Sequence, residues 1–150
     1  MSEKEEFTRS FREIQPKFSR FYARILTQAD LSLPQYALLN QLTTQGTVSM
    51  TEISGKLFIS KPAVTSLVDR LEKNKLLKRI GHPSDRRIFL LQILPKGERI
   101  VLKIQAQALQ FLLKTLDQFN AAERRTIIRF YASLSKTMDQ LLTQDLKARK

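Results

Sequence analysis

From Ser60 to Leu71 the sequence reads SKPAVTSLVDRL, which sorts into two faces at helical spacing. Val64, Leu67, Val68 and Leu71 recur every three or four residues and face a core. Lys61, Pro62, Thr65, Ser66, Asp69 and Arg70 share the opposite side, with Ser60 at the amino-terminal cap. Short hydroxyls and cations on the first half of a helix suit a polyanion, because that end carries free amides and the positive end of the dipole. It is also the end that enters a major groove. Ser and Thr bond to several base edges or to phosphate, so the pattern points to duplex DNA without naming bases. Taken alone, Lys61, Thr65 and Ser66 also fit a plainly solvated helix face.

A second group lies in Gly81-His82-Pro83-Ser84-Asp85-Arg86-Arg87, between two short β-prone runs, Leu77–Ile80 and Ile88–Leu94. Arg86 and Arg87 on a thin loop can enter a minor groove, where narrow A·T-rich tracts concentrate negative potential. Asp85, two residues before Arg87, is placed to hold its guanidinium in one orientation, so that less side-chain entropy is lost on binding. Lys78 and Arg79, with Lys75, are expected to meet phosphates, setting affinity and register without reading sequence. His82 reads as a turn residue or a further phosphate contact. It is the single histidine and cysteine is absent, so neither a multi-histidine metal site nor thiolate chemistry is expected. With Gly at 4 of 150 residues there is no glycine-rich phosphate loop, and no nucleophile or carboxylate pair is spaced for catalysis. The expectation is no enzyme, no cofactor and no metal.

These groups need elements to hold them. Ser32 with Gln35 and Ser49 with Glu52 are capping boxes, flanked by the staple pairs Leu31 with Tyr36 and Val48 with Ile53. Ser60 is a third start, with Pro62 in the first turn where its missing amide costs nothing. Short helices therefore begin near residues 33, 50 and 61. The second runs only to about Leu57 before the Phe58-Ile59-Ser60 turn opens the third, a helix-turn-helix pattern. With the hairpin after it, this is the element order of a winged helix.

Longer stripes occupy both ends: Phe7, Phe11, Ile14, Phe18, Phe21, Tyr22, Ile25 and Leu26, interrupted by Pro16; residues 100–119; and residues 121–145, restarted by a capping box of Asn120 with Glu123. Three such helices exceed what one small winged helix can cover, so they are expected to supply a subunit interface as well as core.

Residues 54–103 hold 12 Lys and Arg against 4 Asp and Glu, net +8 of a whole-chain +12. So localised an excess attracts polyanions. No apolar run approaches the roughly 20 residues of a membrane span, and the chain opens MSEKEE. No membrane association and a cytoplasmic location are expected.

Residues 31–97 resemble the MarR (multiple antibiotic resistance regulator) family of bacterial transcription factors. The most specific pieces are Pro62-Ala63-Val64-Thr65 through Leu67-Val68-Asp69-Arg70-Leu71-Glu72, and Asp85-Arg86-Arg87 ahead of a strand ending Leu94-Pro95-Lys96-Gly97. The resemblance implies a mainly α fold: a winged helix-turn-helix lobe (31–97) with a two-stranded β-hairpin wing, flanked by long N- and C-terminal dimerisation helices (1–30 and 98–150). It further implies a homodimer on a pseudo-palindromic operator, repression relieved by a small-molecule effector, and Asp85 buttressing Arg87. Three positions depart from the family pattern. Lys75 stands where glycine usually closes the recognition helix, and Asn74 is expected to take the left-handed conformation instead. Pro95 replaces a capping threonine, and Ser66 a residue that is often basic. The remaining alternatives are a ligand-independent architectural or RNA-binding winged helix and a helical interaction scaffold, which would leave the basic hairpin idle.

Overall fold

The computed structural model describes residues 1–148, so the last two residues of the expected 98–150 segment lie outside it. In chain order the elements are α1 (Glu3–Gln28), α2 (Leu33–Gln45), β1 (Val48–Ser49), α3 (Met50–Leu57), α4 (Lys61–Lys73), β2 (Leu77–Gly81), β3 (Phe89–Ile93), α5 (Pro95–Leu116) and α6 (Ala121–Ala148). The three internal helices start where their serines place them. Ser32 and Ser49 form complete capping boxes, and Ser60 Oγ accepts from the Ala63 amide at 3.3 Å. Hydrogen bonds from the Ser49 backbone and hydroxyl hold the Glu52 carboxyl below the usual carboxylate range. α1 has a further box, Ser2 with Glu5. Pro95 is the first residue of α5, where a proline lacks no needed hydrogen bond, so the absent threonine leaves the boundary intact.

Residues 1–108 form one compact unit and the chain from Leu109 onward a second. The core of the first unit is wholly apolar: Leu38, Leu39 and Leu42 of α2, Ile53 of α3, Val64, Val68 and Leu71 of α4, Leu77 and Leu91 of the hairpin, and Val101 and Ile104 of α5 are all buried. Ile25 and Leu26 join it from the end of α1, so the unit takes in more than residues 31–97. The expected α1 stripe divides. Its carboxy-terminal residues are packed, whereas Phe11 and Ile14 are 53% and 44% exposed.

β2 and β3 form the expected antiparallel hairpin in the register Leu77↔Ile93 to Gly81↔Phe89. The wing has a third strand, since β1 pairs with β3 through Val48↔Leu91 and Ser49↔Leu90. Two residues are too few for a period-two signal, and their pairing is made by β3, about forty positions further along.

The end of α4 corrects an expectation. Asn74 stays near the helical region (φ −82°, ψ 3°) and Lys75 takes the left-handed conformation at φ 58°. Leu76 decides this. Its amide bonds Leu71 O at 2.9 Å and the Lys75 amide bonds Glu72 O at 2.9 Å, a Schellman motif whose apolar residue after the left-handed position is the buried Leu76. Were Asn74 left-handed, exposed Lys75 would occupy the position that must be buried. α1 closes in the same way, with Asp30 at φ 54° before buried Leu31. Lys75 is exposed, so Lys75→Gly should relieve backbone strain and raise stability by about 0.5–1 kcal/mol. A higher urea midpoint at unchanged slope would show this, and an unchanged midpoint would mean that the left-handed lysine carries no strain.

In the second unit, Asn120 Oδ1 accepts from the Ala122 and Glu123 amides at 2.9 and 3.1 Å, and Glu123 returns a bond to the Asn120 amide, completing the expected box. The Arg124 guanidinium donates to the carbonyls of Leu116, Phe119 and Asp117 at the end of α5. Between the two helical segments lies an apolar pocket of about 370 Å³ lined by residues that include Leu112, Leu116, Phe119, Ile127 and Tyr131. Along the described part of α6, Ile128, Leu134, Met138, Leu141 and Leu142 are exposed.

Candidate nucleic-acid interface

α3 and α4 are joined by a turn held at two points. The Ser54 hydroxyl donates to Ile59 O at 2.7 Å, and Phe58 adopts φ 54° as the left-handed end of α3. With Val64, Val68 and Leu71 buried and Leu67 packed against the core, the rotation of α4 is set. Lys61, Pro62, Thr65, Ser66, Asp69 and Arg70 are exposed, and Ser60 caps the end that carries the first four. The Thr65 hydroxyl donates to Lys61 O at 3.1 Å, which leaves its oxygen as an acceptor and its methyl for apolar contact.

Arg86 and Arg87 are exposed at the tip of the hairpin. The loop beneath them is hydrogen-bonded: the His82 amide bonds Ile88 O at 3.1 Å, the Ile88 amide bonds Asp85 O at 3.1 Å, and His82 Nδ1 accepts from the Ser84 amide at 3.2 Å. His82 is thus a turn residue, as expected. Asp85 works differently from expectation. Its Oδ1 accepts from the backbone N–H of Arg87 at 2.9 Å, an Asx-type turn, and does not grip the guanidinium. A carboxylate two residues ahead lies closer to the amide than to the end of a long side chain, so the local bond forms first. Asp85 thereby shapes the backbone that presents the exposed Arg87.

Arg79 and Lys78, both expected at phosphates, part company, because adjacent strand residues point to opposite faces. Lys78 is exposed, whereas Arg79 turns onto α4, where Nη2 donates to Asp69 Oδ1 at 2.6 Å, Nη1 donates to Glu72 Oε2, and the backbone N–H donates to Glu72 Oε1 at 2.9 Å. Partial burial works against the guanidinium charge, but the bonds to Asp69 and Glu72 outweigh it and its pKa is raised. Spacing along the chain gives Glu72 no role of its own. The available signal was the i, i+3 acid pair Asp69 and Glu72 on one helix face near a basic strand.

Among the described residues no cluster of three or more His, Asp or Glu could hold a metal ion, and no helix is long and apolar enough to cross a membrane. An exposed helix of hydroxyls and cations, set beside a hairpin tipped with two arginines, defines a winged helix-turn-helix protein.

Comparison with known proteins agrees. The model of the MarR family matches residues 31–89. The uncharacterized HTH-type transcriptional regulator YsmB of Bacillus subtilis (strain 168) is 30% identical over 136 residues, which is 91% of each chain. A MarR family protein from Bacillus stearothermophilus superposes with a TM-score of 0.78 at 28% identity, covering 93% of this chain and 99% of its own. NadR, solved in complex with 4-hydroxyphenylacetate, has a TM-score of 0.66 at 20% identity, over 85% of this chain and 90% of its own, a likeness of fold. The chain belongs to the MarR family of helix-turn-helix transcriptional regulators.

Proposed function

We propose that the protein is a homodimeric repressor that reads a pseudo-palindromic operator in double-stranded DNA. Residues 31–97 act as the reading lobe, and residues 1–30 and 98–150 as dimerisation helices. The observation that carries this reading is the joint exposure of Lys61, Pro62, Thr65 and Ser66 at the Ser60-capped end of α4 and of Arg86 and Arg87 at the wing tip. The α4 residues enter the major groove, and the arginines reach the adjacent minor groove. Lys78 and Arg70 meet phosphates and release counterions, so affinity falls steeply with salt. Asp85 contributes by holding the loop backbone under Arg87. A small-molecule effector relieves repression by favouring a spacing of the two lobes that mismatches the half-sites. NadR, which shares the fold, was solved in complex with a small molecule, 4-hydroxyphenylacetate.

The test is affinity for a specific site relative to random duplex at matched salt. A regulator should give a ratio of about 10³ or more, whereas a ratio near one would indicate an architectural or RNA-binding role. Arg87→Ala should weaken binding roughly tenfold at sites with A·T-rich flanks and much less where the flanks are G·C-rich. Equal loss on every duplex would remove the minor-groove role.

A further inference from the structure

We propose that Arg79 is a positioning residue that joins the wing to the recognition helix, so that the arginines at the loop tip and the hydroxyls of α4 address DNA as one rigid surface. This rests on the DNA-binding reading above. β2 lies at the edge of the sheet, because the strand order is β1-β3-β2, and an edge strand has backbone groups with no ladder partner on its outer side. Glu72 supplies one, accepting the Arg79 N–H through Oε1 while Oε2 accepts from the guanidinium. Asp69, one turn earlier on α4, takes the other arm of the fork. Two carboxylates three residues apart on a helix are thus bridged by one planar cation, a geometry that a lysine cannot reproduce. Among the described residues, the hydrogen bonds between α4 and the hairpin strands are those centred on Arg79.

Charge makes the same point. The Asp69 side chain is 60% exposed on the face that carries Thr65 and Ser66, where a bare carboxylate would repel phosphate. The Arg79 side chain, 22% exposed, neutralises it through the bond to Asp69 Oδ1. With two arms of the guanidinium committed to Asp69 and Glu72, the side chain is held against α4. Its contribution to binding passes through the residues it holds, and the loop carrying Arg86 and Arg87 begins three residues beyond it.

The experiment is a double-mutant cycle in DNA affinity between Arg87→Ala and loss of the clamp. Arg79→Ala is paired with Asp69→Asn, which keeps the local net charge at its original value and leaves rigidity as the difference. On a site with A·T-rich flanks, Arg87→Ala in the otherwise unchanged protein should cost about tenfold. In the Arg79→Ala/Asp69→Asn background the same change should cost about twofold or less, because an unanchored wing no longer delivers Arg87 to the groove. Thermal melting establishes that each variant is folded, and Arg79→Lys, which keeps the charge but loses the fork, serves if the pair does not fold and should give an intermediate coupling. Equal cost of Arg87→Ala in both backgrounds would overturn the positioning role. No cost even with the clamp intact would overturn it too, by removing the minor-groove reading beneath it.

Discussion

Gly97→Ala is expected to destabilise the first unit by about 3 kcal/mol, a large share of a typical domain's stability. Gly97 is the third residue of α5 and is buried. A Cβ built on it would lie 2.2 Å from Leu76 O and 3.1 Å from Ile93 Cγ1. The first of these is a backbone atom, and it is committed: Leu76 O accepts from the Leu94 amide at 2.9 Å, the bond that joins the start and end of the hairpin. Moving the carbonyl breaks that bond and leaves a buried acceptor unpaired. Moving α5 instead withdraws Val101 and Ile104 from the core, both at most 1% exposed. Neither route is cheap, although alanine is the better helix former. Urea unfolding should show a lower midpoint at unchanged slope. A change under about 0.5 kcal/mol, the usual range for an inert surface substitution, would show that the start of α5 can slide without loss.

A second large effect is expected from Leu134→Asp combined with Leu141→Asp. On α6, Ile128, Tyr131, Leu134, Met138 and Leu141 recur every three or four residues, and their exposures run from 41% to 60%. A continuous apolar stripe this long is unusual on a monomer and fits the association surface of the proposed dimer. In the proposed dimer this surface is covered by a second copy, and two carboxylates in it would be desolvated without partners. The double variant should sediment as a monomer. With one lobe left to bind, operator affinity should fall by about 10²–10⁴, the advantage that linking two sites confers. The melt of the first unit should persist, since neither residue contributes to its core. A variant that still sediments as a dimer would place the interface elsewhere.

What the sequence revealed, and what it hid, follows the range of the interactions involved. Ser32, Ser49, Ser60 and Asn120 announce helix starts because a cap is settled within four residues, and all four are caps in the structure. The hairpin was legible to within about a residue at each strand end, from Leu77–Ile80 and Ile88–Leu94 to β2 and β3. β1 was not, being two residues long and dependent on Leu90 and Leu91. The left-handed residue after α4 lies one position beyond the expected Asn74, because the burial of Leu76 outweighs the local preference of asparagine. Asp85 and Arg79 show the same division in the candidate site. Asp85 satisfied the nearest backbone donor, and Arg79 found its carboxylates across a tertiary contact that spacing along the chain does not encode. The exposed face of α4 was legible because its rotation follows from four apolar side chains on the same helix.

Selection of the purified protein on a pool of random duplexes at near-physiological salt, with sequencing of the enriched sites, tests the central claim most directly. Enrichment of an inverted repeat, with half-sites about one helical turn apart and A·T-rich flanks, is the predicted result. Salt-sensitive binding without enrichment, or no binding at all, would contradict it.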